Sequence, residues 1–202
     1  MNLPDLAKKV REFKKSDQYK EVKTRLKEFN FSKKTHKEWF SELCFCILTA
    51  NTTADGGMKL QATLGDSVCE LSENELSNKL KELQYRFPNV RAKYIHEAKK
   101  CLKIKDMIKK MPSKEAREFI VDNIKGLGMK EASHFLRNTG RKDVAIIDRH
   151  ILRILGYNID SLTRDQYLEI EREMEKLGKM TKTNLAELDL ILWAIQTGKV
   201  LK

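Results

Sequence analysis

Proline is scarce: only three occur in 202 residues. Pro4, Pro88 and Pro112 each stand where a helix can begin, so few breaks are forced on the backbone. Cysteine is scarce too. Cys44, Cys46, Cys69 and Cys101 match no zinc or iron–sulfur spacing. They read as buried thiols of a reduced compartment, and no metal site is expected. No apolar run approaches the roughly twenty residues of a membrane helix, and the first fifteen or so lack a signal-peptide core. No membrane partner is expected, and the location is read as cytoplasmic. Strand-like alternation is missing between turn signals, which excludes a sheet-based fold. No internal repeat or low-complexity linker is found. Acidic residues are outnumbered, 29 against 40 Lys and Arg, for a net charge of +11. Such an excess suits a polyanion such as nucleic acid. It also suits the lysine-rich surface of a heat-adapted protein.

What is present is helical periodicity. Leu3–Phe13 and Tyr19–Phe29 read as amphipathic helices, and His36–Ala50 is apolar around most of its circumference, as a buried central helix would be. The segment Asn51–Gly57 is expected to break it. Ser72-x-x-Glu75 opens a helix to about Tyr85, a long basic helical stretch with a break near Lys103 is expected over Asn89–Met111, and Ser113 caps Lys114–Ile124. Short helices follow at Lys130–Asn138 and Asp148–Leu155. Thr163-x-x-Gln166 starts another that Gly178 is expected to end, and Asn184–Thr197 is the last. The fold class is all-α.

One segment carries chemistry. Gly126-Leu127-Gly128 lies between two helices, followed by Met129-Lys130 and, beyond the apolar run Val144–Ile147, by Asp148. Two glycines let the backbone turn tightly and approach a ligand. The helix that follows offers free N–H groups and a positive dipole end, a phosphate site that reads backbone and no sequence. A turn of this kind also joins helices with no ligand. A lysine beside the turn is placed to attack an electrophilic carbon on the same backbone. The attack needs the neutral amine, and at an ordinary pKa of about 10.4 only about 0.04% is neutral at pH 7. A low-dielectric pocket and the hairpin dipole are expected to disfavour the ammonium. An aspartate behind an apolar run, Asp148, is placed to take or stabilise the resulting charge, or simply to cap the next helix; both roles are compatible.

Gly126, Gly128, Lys130 and Asp148, with Asp148–Arg153 after them, resemble the helix-hairpin-helix DNA glycosylase superfamily. The clustered C-terminal cysteines of its iron–sulfur branch are absent. The tail Glu187–Lys202 and the segment Leu48–Gly57 resemble the short type 2 8-oxoguanine DNA glycosylases of archaea and some bacteria. The resemblance implies a two-lobed helical fold with a DNA-binding cleft between lobes and no iron–sulfur cluster. Residues 31–143 would form the central lobe, with the hairpin at about 114–138, and 1–30 plus 144–202 the second. It implies a monomer that acts on 8-oxoguanine in double-stranded DNA, at the nucleoid, through a lysine imine, with strand cleavage 3′ to the lesion. No cofactor is implied beyond a monovalent cation at the hairpin.

The resemblance also implies roles for other residues. Trp193 would wall the pocket for the flipped base, and the terminal Lys202 would read its edge. Phe87 and Met129 are rival candidates for the opposite wall. Asn51 would fill the gap left in the duplex or cap a turn. Lys125, Arg137, Arg141, Lys142, Arg149 and His150 would meet phosphate. Two alternatives stay open: a neighbouring specificity, such as an oxidised pyrimidine or mispaired adenine, and a hairpin module that binds DNA without catalysis.

Overall fold

The computed structural model describes residues 2–50, 52 and 54–200. Asn51 and Lys202 lie outside the described residues. Among the described residues every regular element is helical. In chain order they are α1 (Leu3–Phe13), α2 (Gln18–Glu28), α3 (His36–Thr49), α4 (Ala54–Leu64), α5 (Glu73–Glu82), α6 (Pro88–Ala98), α7 (Ile104–Ile108), α8 (Ser113–Asn123), α9 (Met129–Asn138), α10 (Arg149–Leu155), α11 (Arg164–Thr181) and α12 (Leu185–Thr197), with short 3-10 segments at Gly65–Cys69 and Lys99–Cys101.

Local chemistry sets the starts. Asn2 accepts the Asp5 N–H ahead of α1. Reciprocal capping boxes open α3 (Thr35 with Glu38), α5 (Ser72 with Glu75) and α11 (Thr163 with Gln166). At the first of these, Lys34 and the Thr35 amide hold the Glu38 carboxyl down at about 2. Two expectations need correction. The break after α3 is short: α4 begins at Ala54, and Gly56 and Gly57 lie inside it. Gly57 is there for close approach, since a Cβ would stand 2.2 Å from Thr49 Cγ2. The long basic stretch is divided near Lys103, as the sequence suggests, with α6 ending at Ala98 and α7 resuming at Ile104. Helix α11 runs through Gly178 to Thr181 and ends where Lys182 turns left-handed at φ 52°.

The chain forms two compact units, Phe31–Phe135 and Met1–Asn30 with Leu136–Lys202. In the first, α3 is central, packed by α4, α6, α7 and the Gly65–Cys69 segment. Phe40, Leu43, Phe45, Ile47 and Leu48 are buried on several sides of it. In the second, α12 is central against α1, α2, α10 and α11, with Leu188, Ile191 and Leu192 buried. Each fully buried side chain of this kind contributes about 1.5–3 kcal/mol. The second boundary falls at Phe135/Leu136, within α9, rather than after residue 143. Arg137 explains the difference: it pairs with Asp189 and lies over the Phe29 ring, both in the second unit.

Candidate active site

The hairpin is built from α8, the turn 124–128 and α9. Its apolar approach and departure are anchored by Ile120, Ile124, Leu127, Ala132 and Phe135, all buried. Gly126 takes φ 84°, a conformation that L side chains rarely adopt. It also presses on α6, since a Cβ would lie 2.5 Å from Tyr94 Cδ2 and 2.9 Å from Arg91 Nη1. Gly128 has no such constraint; a Cβ there would meet only Glu131 Oε2, at 3.5 Å. Its carbonyl accepts from Ala132 N at 2.9 Å, so α9 is already turning. The first-turn N–H groups of a helix have no intrahelical acceptor and face outward, beside an exposed turn.

Lys130 stands in that first turn. Its Nζ pairs with Glu131 Oε1 at 3.0 Å, and its side chain is 39% exposed. The low-dielectric surroundings expected from the sequence are not what Lys130 meets in this structure: it is held as an ion pair near solvent. Glu131 was missed because helix neighbours one apart do not ordinarily face each other. Met129, half-buried, precedes the lysine. Lys125 is exposed but already paired with Glu97 at 3.0 Å. A phosphate contact there has to displace an exposed pair, which costs at most about 1 kcal/mol.

The same unit carries Phe87, the N-cap residue of α6, 37% exposed with the Arg86 guanidinium 4.8 Å from its ring centre. Arg91, one turn further on, is buried; its Nη2 donates to the Ala50 carbonyl at 3.2 Å. It thus ties the end of α3 to the underside of the hairpin turn, a connection that no sequence pattern announced.

The second unit holds Asp148. Its Oδ1 accepts from His150 N at 2.8 Å and from Ile151 N at 2.9 Å, so it is the N-cap of α10. Both bonds use one oxygen, and the cap does not engage Oδ2. The His150 ring then meets the Trp193 edge, centroids 5.9 Å apart at 69°. Trp193 on α12 is half-buried, not sealed in the core. Arg149 and Lys142 are exposed and Arg141 partly so. Arg137 is not available to phosphate: it is 2% exposed, and its Nη1 donates to Asp189 Oδ2 at 3.0 Å. Among the described residues no three His, Cys, Asp or Glu side chains gather closely enough to hold a metal ion. No helix there is long and apolar enough to cross a membrane.

Known proteins are similar to this chain along its whole length. The chain is 51% identical over 205 residues to the 8-oxoguanine DNA glycosylase/AP lyase of Methanocaldococcus jannaschii, covering 98% of this chain and 99% of that one. It is 47% identical over 210 residues to the protein of the same name from Korarchaeum cryptofilum, covering both in full. The crystal structure of the Methanocaldococcus jannaschii glycosylase/lyase in complex with a 15mer DNA containing 8-oxoguanine superposes with a TM-score of 0.94 at 49% identity, over 98% of this chain and 99% of that one. The crystal structure of the Thermotoga maritima 8-oxoguanine DNA glycosylase gives 0.92 at 37% identity, over the full length of both. The family model described as 8-oxoguanine DNA glycosylase matches residues 22–183. With the hairpin, its lysine and the capping aspartate all inside the matched span, the chain belongs to the helix-hairpin-helix 8-oxoguanine DNA glycosylase family.

Proposed function

We propose that this chain excises 8-oxoguanine from double-stranded DNA and then cleaves the strand 3′ to the lesion, with Lys130 as nucleophile. The observation that carries the reading is Lys130 in the first turn of α9, directly after a turn whose Gly126 must be glycine. The relatives of the same length, named as glycosylase/AP lyases, support it.

The chemistry is redox-neutral and needs no cofactor. A base inside the duplex is out of reach, so the nucleotide has to be flipped out. Lys130 parts from Glu131 and loses a proton as bound DNA excludes water around it. The neutral Nζ attacks C1′; the glycosidic bond breaks and its electron pair leaves with the base, which takes up a proton. The ring C1′–O4′ bond then opens to an imine between Lys130 and the sugar. Loss of a C2′ proton expels the 3′ phosphate by β-elimination, and water releases the enzyme. Asp148 stabilises positive charge on the sugar in the first step and helps the proton transfers.

Trp193 stacks on the base, with Phe87 or Met129 on its other face. Lys202 reads the base edge with its ammonium, and Asn51 enters the vacated stack. The hairpin N–H groups of Gly126 to Lys130, with Lys125, Arg149 and His150, hold phosphate; a monovalent cation at the turn is compatible with this. The expected assembly is a monomer on DNA at the nucleoid.

The test is incubation with an 8-oxoguanine duplex under borohydride, which reduces the imine to a permanent link. The wild type should trap and Lys130→Gln should not, while still binding the duplex. Trapping by the variant at wild-type level would remove Lys130 from the mechanism. An absence of trapping by wild type on any lesion would leave only a DNA-binding hairpin module.

A further inference from the structure

The chain leaves α12 through a peptide plane that is held from both sides. Gly198, the C-cap of α12, takes φ 75°, and its amide donates to the Ala194 carbonyl at 2.8 Å. Its own carbonyl accepts from Gln18 Nε2 at 2.9 Å, across 180 residues of sequence. The N–H at the other end of the same peptide unit belongs to Lys199 and donates to Thr197 Oγ1 at 3.4 Å. That hydroxyl donates in turn to the Trp193 carbonyl at 2.8 Å. A planar unit bonded at its oxygen and at its nitrogen has little freedom left to turn. The direction in which the chain continues is thereby referred to Trp193.

Gln18 comes from the far end of the sequence. It is half-buried as the first residue of α2, which packs against α12 in the same unit. Its neighbour Tyr19 donates to Glu187 Oε1 at 2.6 Å, in the first turn of α12. Two adjacent side chains of α2 thus bond both ends of the helix that carries Trp193. Water can satisfy a carbonyl at the end of a helix as well as an amide can. What the Gln18 bond adds is direction. From Gly198 to Lys202 is four residues, a reach of at most about 14 Å. A segment already aimed binds better than one that has to be ordered when its ligand arrives.

We propose that Gln18 is a positioning residue for base recognition: it holds the Gly198–Lys199 peptide plane so that the segment beyond carries the Lys202 ammonium to the base that Trp193 stacks on. The proposal rests on the base-reading role given to Lys202 above. It concerns base excision and not strand cleavage, because an abasic site has no base edge to read. A loosened fold slows both reactions, whereas a misdirected Lys202 slows only the first.

The experiment measures single-turnover excision of 8-oxoguanine, cleavage of a duplex with a preformed abasic site, and duplex affinity. The chains are wild type, Gln18→Ala, Gln18→Glu, Lys202→Ala and the double variant Gln18→Ala with Lys202→Ala. Gln18→Glu keeps the size of the side chain, should Gln18→Ala disturb the packing of α2, but its carboxylate has no proton to donate. Excision should fall about fivefold in either Gln18 variant, the worth of one hydrogen bond near solvent. Abasic-site cleavage and affinity should stay at wild type, and the double variant should excise no more slowly than Lys202→Ala alone. Equal losses in excision and abasic-site cleavage would reduce Gln18 to a structural tie and overturn the proposal. Wild-type excision in either Gln18 variant, or losses that multiply in the double variant, would also overturn it. In each of these cases a slow Lys202→Ala leaves the proposed function standing. Full activity of Lys202→Ala would bring down the reading of Lys202 and this proposal with it, and leave Lys130 untouched.

Discussion

Gly126→Ala should cost far more stability than Gly128→Ala, although both add one methyl to the same turn. At Gly126 two penalties combine. Its φ of 84° costs an L residue about 1–2 kcal/mol. The new Cβ would also stand 2.5 Å from Tyr94 and 2.9 Å from Arg91. Arg91 does not simply swing away, because it is buried and bonded to the Ala50 carbonyl. Overpacking of this sort costs about 1–3 kcal/mol. The sum is about 3 kcal/mol, or a fall of about 6–12 °C in Tm for a chain of this size. At Gly128 the nearest atom is a flexible carboxylate oxygen at 3.5 Å and φ is outside the left-handed region. The change there should stay within about 1 kcal/mol in either direction. Calorimetry on the two variants decides the matter. DNA affinity then separates the causes, since any loss in Gly128→Ala comes from the methyl at the proposed phosphate surface and not from a damaged fold. A Gly126→Ala chain that melts with the wild type, or a Gly128→Ala chain that melts as early as Gly126→Ala, would refute the reasoning.

Arg149→Ala should lower the log–log salt slope of DNA binding by about 0.9, measured by fluorescence anisotropy at several salt concentrations, whereas a slope equal to wild type removes it from the phosphate contacts. In a double-mutant cycle followed by urea denaturation, breaking the buried pair singly, with Arg137→Met or Asp189→Leu, should cost about 3–5 kcal/mol, and changing both together should cost less than either. The Glu38 carboxyl, held below its ordinary 4.5 by Lys34 and Thr35, contributes stability that is present above about pH 4.5 and lost as pH falls towards 2. Glu38→Gln should flatten that part of the acid-denaturation curve, and an unchanged slope would show that the capping box carries no charge effect. Lys202→Ala should slow excision of 8-oxoguanine more than it weakens duplex binding; full activity in the variant would take Lys202 out of base recognition.

Most of the fold was legible because its signals are local. Capping boxes at Thr35, Ser72 and Thr163 and the left-handed Gly198 mark helix ends through bonds made within a few residues. The hairpin was legible for the same reason, as Gly126 reports a backbone demand directly. What escaped was tertiary. Gly57 looked like a break and is a contact with α3; Arg137 looked like a phosphate ligand and is sealed against Asp189. Charge alone does not tell a surface arginine from a buried one, because the difference lies in the partner. A cue for that partner was nevertheless present. Asp189 stands alone in Leu188-Asp189-Leu190-Ile191-Leu192, on a helix apolar enough to be buried. An acid in such a run must find a cation or take a proton, since an isolated buried carboxylate is too costly. In the helix that carries Lys130, the cation standing between the buried Leu136 and Asn138 is Arg137. A lone charge in an apolar run demands a partner of opposite sign, and that demand pairs the two residues from sequence alone.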